Sequence, residues 1–450
     1  MDKKTTERII SQIEKGGMPC IDSRLARPGD IFFALKGESS DGNDYAHQAL
    51  ENGCSLAIVD REVKPASSSI IQVVNTLEAL QNLGQYYRRR FAIPFLGITG
   101  SNGKTTTKEL IQSVLSTTFT SSATSGNLNN HIGVPLTLLS LKKGTEISTV
   151  EMGANHQGEI SLLCEIAMPT HGLITNIGKA HIEGFGSIET VKKSKGELFA
   201  HIKDSKGVIF VNSDDDMVSD LATNLPGPAE YVRYGSKSGQ HCRGNIISSF
   251  PFLEISYFAD RDFGKASKGI QGNLKTQLTG SYNFENVLAA ATVALYFGVS
   301  PENIKTGIES YLPSNNRSQI VKTPQDNLVV LDAYNANPTS VEAAILNFCN
   351  YGSENSAVML GDMLELGEIA GEEHRKIVRY VADKGFGLSI FVGSHFSSAI
   401  SGMDKKSGNI LVFEDVAGAC KYLAYNPVTN SRILLKGSRG IGMEKLLKHL

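Results

Sequence analysis

Charge of one sign is what the sequence lacks most clearly: 44 Lys and Arg stand against 46 Asp and Glu, a formal net charge of -2. No strong field would hold such a chain on nucleic acid or on an anionic membrane, so an anionic ligand must be gripped locally. The six cysteines, Cys20, Cys54, Cys164, Cys242, Cys349 and Cys420, lie far apart, with no CxxC pair and no spacing of the small secreted kind. They read as reduced thiols of a cytoplasmic protein. Long apolar runs are missing too. The opening segment MDKKTTERIISQIEKGG is charged where a signal peptide needs an apolar core of about 7 to 15 residues. No stretch approaches the roughly 18 apolar residues of a membrane span. These absences predict a soluble protein that is not exported, with monomer as the default state.

What is present is length and alternation. The 450 residues exceed the roughly 250 to 300 that one core supports, and three units emerge from the pattern. Between residues 30 and 91, short apolar runs (Ile31 to Leu35, Leu56 to Val59, Ile70 to Val74) alternate with helical stretches, the last being TLEALQNLGQYYRRRF. After Pro94, strands at FLGITG, 147 to 152, 172 to 177 and 207 to 212 alternate with helices, which implies a parallel, helix-covered sheet. Residues 240 to 280 differ, with alternating FLEISYF between Gly-rich turns, and predict an antiparallel flap. Pro313 stops a helix and PSNNRSQ follows as a linker. Beyond it NLVVLD, AVML, LSIFVG, ILVF and RILLKG form a second parallel sheet of the dinucleotide-binding kind. The expected fold class is α/β with three domains, 1–93, 94–313 and 314–450: a small first unit, a central P-loop parallel sheet carrying the flap, and a C-terminal Rossmann-like sheet.

The strongest chemical signal is GITGSNGKTTTKEL at 97–110, a strand, a Gly-rich turn and a helix. Backbone amides of the turn and the helix amino terminus can converge there on phosphate oxygens. Gly100, Ser101, Asn102, Gly103, Lys104, Thr105 and Thr106 are the candidate nucleotide contacts. Lys104 would reach the terminal phosphates and Thr105 a magnesium ion. The strict P-loop wants glycine six places before the lysine, where Ile98 stands, so the motif is a variant. Glu151 ends the next strand, at the carboxyl edge where ligands bind, and is a hard oxygen ligand suited to magnesium. His181, in KAHIEGFG, lies at another carboxyl end, where it can face a metal or phosphate or simply bond backbone. Lys195 lies on the helix IETVKKSKGELF, where an unmodified ammonium cannot coordinate a cation and reads as a solvated charge beside Lys192 and Lys193. Asn283 and Asn286 open an Ala-rich helix and offer amides that suit a purine edge, with helix capping by Asn283 an equal reading. Asp332 ends strand NLVVLD, where it can bond a ribose hydroxyl, and Asn337 or Ser340 caps the helix that follows.

Taken together, DSRLARPGDIFFALKGESSDGNDY, GITGSNGKTTTKE, GNLNNHIGVPLTLL, EMGANHQGEI, ITNIGKAHIEGFGS and KGELF resemble the Mur ligase family in content and order. DAYNANPTS, GDMLELG and KGSRG resemble its D-alanyl-D-alanine-adding branch, and the Asp-Asn-Pro-Arg signature of the diamino-acid-adding branch is absent. The resemblance implies an ATP-dependent ligase of peptidoglycan synthesis, with UDP-N-acetylmuramoyl-tripeptide and D-alanyl-D-alanine as substrates and an acyl phosphate between them. It implies two Mg2+ ions, one held by Thr105 and Glu151, the other by His181 and a carbamylated Lys195. Ser23, Gly37 and Asp41 become uridine-nucleotide contacts, with Asn43 where the family usually has His. Asn127, Asn129, Asn130, Tyr334, Asn335, Asn337 and Ser340 become substrate contacts. Arg317 matches an arginine near the nucleotide, preceded by Asn316 instead of Gly, and Tyr282 replaces the His before Asn283. A folate polyglutamate ligase should lack GNLNNHIGVP, the uridine module and DAYNANPTS, all present here. A P-loop switch would hydrolyse nucleotide without an acceptor.

Overall fold

The computed structural model describes residues 1–225, 227–260, 269–352, 355–401 and 409–450, which carry three sheets. The first has four parallel strands in chain order, Pro19–Cys20, Ile31–Phe33, Leu56–Val59 and Ile70–Gln72. Helix Thr76–Arg88 starts where the Asn75 side chain accepts from the Glu78 amide, and buries Leu80, Leu83 and Tyr87. A helix that the sequence reading does not contain, Lys3–Glu14, begins at Asp2, whose side chain accepts from the Thr5 amide. It buries Ile9, Ile10 and Ile13, one apolar stripe in an otherwise charged segment.

The central sheet has nine strands, ordered Ile270–Lys275, Glu254–Ala259, Cys242–Ser248, Glu230–Gly235, Val208–Asn212, His171–Ile174, Phe95–Thr99, Ile147–Glu151 and Ser121–Ala123. The predicted flap is antiparallel, as its alternation requires, but it continues the parallel sheet edge to edge through Glu230–Gly235. The part of the flap reading at 261–268 lies outside the described residues. Strand Phe95–Thr99 pairs with Ile147–Glu151 on one side and His171–Ile174 on the other. Its loop therefore leaves the sheet where the chain order reverses, the crevice position of open α/β sheets. Helix Phe284–Tyr296 supports that loop from below, with Val287, Leu288 and Val293 fully buried. Each such side chain contributes roughly 1.5–3 kcal/mol.

The third sheet runs Gln319–Lys322, Leu328–Asp332, Arg432–Lys436, Ser356–Gly361, Leu388–Val392 and Ile410–Phe413, parallel except for its first, antiparallel edge strand. That edge strand starts inside the segment read as linker. It is short and partly polar, and only its backbone pairing defines it. No helix among the described residues is long and apolar enough to cross a membrane, and the six cysteines form no disulfide.

Two imidazoles tie the fold to pH. Burial pushes His171 down to about 4, among the rings of Phe210, Tyr296 and Phe297. Burial also lowers His374, whose Nε2 accepts from the Met363 amide at 3.0 Å. Both are neutral when folded and gain a proton on unfolding once pH drops below their ordinary value near 6.5. Their contribution is complete above that value and declines as pH falls below it, for His171 toward about 4. The thermal midpoint should therefore fall from pH 7 to pH 5, and fall less in His171→Phe. Equal slopes for the two proteins would contradict this.

Candidate active site

The P-loop is built by exclusion of side chains. At Gly100 φ is 145°, and a Cβ would strike the Thr175 hydroxyl; at Gly103 φ is 79°, and a Cβ would strike Asn286 Oδ1. The turn is pinned from the neighbouring strand end: Asn102 N donates to Asn176 Oδ1 at 2.9 Å and Ser101 Oγ donates to the Gly178 carbonyl at 3.0 Å. Helix Lys104–Leu115 then starts with no side-chain cap on its first amides. Lys104 folds back over the loop, donating to the carbonyls of Gly100 and Ser101. Burial lowers its pKa, with Glu151 opposing and Arg317 adding. Gly103→Ala should lower kcat/KM for ATP by about a hundred-fold or more, because the left-handed turn and Asn286 must both move. A loss under threefold in steady-state kinetics would contradict that account.

The loop opens into a cavity of about 750 Å³ between the central and third units. From the central side it is lined by Ser101 through Thr106, Asn127, Asn129, Glu151, His181, Asn283 and Asn286. From the other side come Arg317, Asp332, Tyr334, Asn335, Asn337 and Ser340. Asn337 Nδ2 donates to Asn102 Oδ1 at 2.7 Å, a direct tie from the third unit to the P-loop. Asn337 and Ser340 form a reciprocal capping box at the start of helix Pro338–Phe348, so each serves the cap.

Glu151 is the hub of the central half. It is 1 % exposed, and its Oε1 accepts from Thr105 Oγ1 at 3.1 Å and Asn129 Nδ2 at 2.8 Å. Its Oε2 is buried without a hydrogen bond, 3.7 Å from the buried Lys108 ammonium. An orphaned carboxylate oxygen beside a threonine hydroxyl fits a hard cation. Lys195 is 1 % exposed, below Phe185, with Nζ 3.4 Å from the Ala154 carbonyl. Burial, with Lys104 adding, pushes it down to about 7, so a large fraction is free amine at neutral pH. It does not line the cavity. Among the described residues no group of three or more His, Cys, Asp or Glu could hold a metal.

Several predicted residues take other partners. Asn283 does not cap its helix: its side chain donates to the Thr279 carbonyl at 2.8 Å and accepts from Asn286 Nδ2 at 2.9 Å. Asn286 Oδ1 in turn accepts from Thr107 Oγ1 at 3.0 Å, so these amides brace the P-loop helix. Asp332 receives the Lys436 ammonium and the Ser318 amide. Arg317 stacks on Tyr334 at 3.5 Å, with Arg439 at 5.5 Å from the same ring. Asn316 stands between Asn315 and Arg317 in a linker where Asn315, Asn316 and Ser318 all have positive φ. Outside the cavity, Asn130 accepts from the Ile132 and Gly133 amides at 3.1 and 2.9 Å. Ser23 bonds Gln48 at 3.0 Å, Asp41 accepts from the Asn43 amide at 2.9 Å, and Gly37 donates to the Ser40 carbonyl at 2.9 Å.

Three lining or supporting groups have no place in the sequence reading. Lys108 follows the P-loop motif at one helical turn from Lys104, a spacing that could have flagged it. Glu285 lines the cavity and is pushed up to about 7 by burial against a hydrogen bond from Asn212, with Asp215 and Asp214 adding. Glu365 lies within GDMLELG and reaches His181 across the domain boundary.

Comparison with known proteins matches three successive stretches of the chain to one family. The Mur ligase middle domain matches residues 98–294, the Mur ligase glutamate ligase domain 316–439, and the Mur ligase family catalytic domain 19–88. The UDP-N-acetylmuramoyl-tripeptide--D-alanyl-D-alanine ligase of Bacillus subtilis is 32% identical over 434 residues, 95% of this chain and 92% of the relative. The crystal structure of MurF from Acinetobacter baumannii matches with a TM-score of 0.82 and 31% identity, over 98% of this chain and 97% of that one. MurF ligase from Thermotoga maritima in complex with ADP matches with a TM-score of 0.80 and 26% identity, over 97% of each chain.

Proposed function

The chain belongs to the Mur ligase family, and we infer that it is an ATP-dependent carbon-nitrogen ligase joining D-alanyl-D-alanine to UDP-N-acetylmuramoyl-tripeptide in peptidoglycan precursor synthesis. One observation carries the reading: a single cavity has the P-loop, Glu151 and His181 on one wall and Arg317, Asp332 and Asn337 on the other. A pure hydrolase has no need of a second domain docked over its P-loop, whereas a ligase must exclude water from an activated acyl group.

In this reading residues 1–93 hold the uridine nucleotide through Ser23, Gly37 and Asp41, residues 94–313 hold ATP, and residues 314–450 complete the site. Gly100 through Thr106 take the phosphates, and Arg317, Asp332, Asn283 and Asn286 flank the nucleoside, the latter two by shaping the wall. Thr105 and Glu151 would hold one Mg2+, and His181 with carbamylated Lys195 a second. Bound ions there neutralise charge on the phosphates. Asn127 and Asn129 face the muramoyl tripeptide from the loop bonded to Glu151, Asn130 fixes that loop's exit, and Tyr334, Asn335, Asn337 and Ser340 face the dipeptide side. The protein works as a cytoplasmic monomer that needs neither nucleic acid nor membrane.

A free carboxylate has no leaving group for an amine to displace. The tripeptide carboxylate therefore attacks the γ-phosphorus of ATP, ADP departs, and the acyl phosphate forms. Lys104 and the loop amides stabilise the charge that develops on the transferring phosphoryl group. The dipeptide amine then attacks the acyl carbon, releasing phosphate and a proton as the amide forms. Heavy oxygen placed in the tripeptide carboxylate should appear in the released phosphate, one atom per turnover. Unlabelled phosphate would sink the acyl-phosphate route.

A further inference from the structure

The contacts across the domain boundary converge on one short loop of the central unit. His181 has φ of 53° and Glu365 has φ of 63°, so both residues of the facing pair sit in the left-handed region that side chains avoid. Glu365 Oε2 lies 2.6 Å from His181 Nδ1. The contact falls short of an aligned hydrogen bond, and Nδ1 has no hydrogen-bond partner elsewhere. Two residues on, the Glu183 amide donates to the Glu365 carbonyl at 3.2 Å. Two residues before, the Lys179 ammonium lies 3.1 Å from Glu373, a carboxylate on the helix that follows the Glu365 loop. The Glu365 loop is itself braced: His374, fully buried, accepts from the Met363 amide at 3.0 Å, and Leu364 N donates to Ser438 Oγ at 2.9 Å.

We propose that Glu365 is a positioning residue that couples docking of the C-terminal unit to the orientation of His181. A carboxylate held against Nδ1 favours the proton on that nitrogen and leaves Nε2 as the basic atom of a ring that lines the cavity. Catalytic hydrogen bonds that are poorly aligned in a free enzyme tighten in the substrate complex, and closure over ATP would align this one. Two strained backbones facing each other are explained by the same role, because each is retained only where the opposite unit over-determines it. The inference rests on the placement of His181 at the reaction centre; it assigns Glu365, in another domain, as the group that readies it.

The test compares Glu365→Ala, Glu365→Gln and Glu373→Gln with the unaltered protein. Carboxylates that orient a metal-side histidine are worth about 10–100-fold in metal affinity or activity. Glu365→Ala should lose that factor in kcat and in Mn2+ affinity, the latter read from the free-Mn2+ resonance signal without turnover. KM for ATP and the thermal midpoint should hardly move. Glu365→Gln, which keeps the length and one acceptor, should recover part of both losses. Glu373→Gln weakens another contact of the loop, that with Lys179, and should leave Mn2+ affinity unchanged. If Glu365→Ala keeps the parent's kcat and Mn2+ affinity, the proposal is overturned; if both glutamate sites behave alike, Glu365 serves docking alone and the proposal is likewise overturned. Failure of the ligase reading itself would show instead as dipeptide-independent phosphate release by the unaltered protein, with the Mn2+ comparison still deciding Glu365.

Discussion

Lys104→Met should lower kcat about a thousand-fold or more while moving KM for ATP far less. Removing one preorganised donor at a developing oxyanion costs about a hundred- to a thousand-fold, and a full cation over a transferring phosphoryl group is worth about a thousand-fold upward. In the proposed mechanism Lys104 is such a cation. Its ammonium is folded onto the Gly100 and Ser101 carbonyls, inside the turn that the glycines make possible. Burial makes that charge costly and lowers its pKa, so it is most favourable beside phosphates. Methionine matches the lysine stem in volume and leaves the loop's packing in place, so the loss isolates the charge. Rapid-quench measurement of ADP formation in a single turnover would read the chemical step. A rate within tenfold of the parent would remove Lys104 from the mechanism.

The second large effect is expected at Lys195. Lys195→Ala should lose about a hundred-fold or more in turnover, the scale of a metal ion's contribution to phosphoryl transfer. Burial pushes the Lys195 amine down to about 7, and its neutral form can add to carbon dioxide at neutral pH, giving a carbamate and a proton. An amine at an ordinary lysine value is almost wholly protonated there and is inert. Wild-type protein kept free of carbon dioxide should therefore lose activity and regain it with bicarbonate. The regain should be strong above pH 7 and fade below pH 6, where the ammonium form dominates. Full activity without carbon dioxide, together with an active Lys195→Ala, would show that the lysine works unmodified or not at all. Infrared detection of labelled carbamate on the parent and not on the variant gives a readout independent of turnover.

The parts of this architecture that sequence carries are those written in local patterns. The P-loop needs glycine at two positions with positive φ and places its lysine at the first helical residue, so its position, its strand and its helix are all visible in GITGSNGKTTTKEL. Glu151 is visible because strands that alternate with helices end at one edge. Legibility stops where a partner lies far along the chain. Nothing near residue 286 reveals that Asn286 accepts from Thr107, across 179 positions of chain. Nothing near residue 129 shows that Asn129 bonds Glu151, across 22 positions of chain. Glu365 is one of two acids in GDMLELG until the fold sets it against His181. Strand Gln319–Lys322 is hidden for a related reason: it is defined by backbone pairing with Leu328–Asp332, and its side chains show no buried alternation.

The most direct test of the central claim is phosphate release from ATP with UDP-N-acetylmuramoyl-tripeptide present, with and without D-alanyl-D-alanine, following the uridine-nucleotide product by mass. The account predicts release that requires both substrates and a product heavier by one dipeptide less one water. Release that proceeds equally without the dipeptide, with the tripeptide recovered unchanged, would contradict it and mark the cavity as that of a hydrolase.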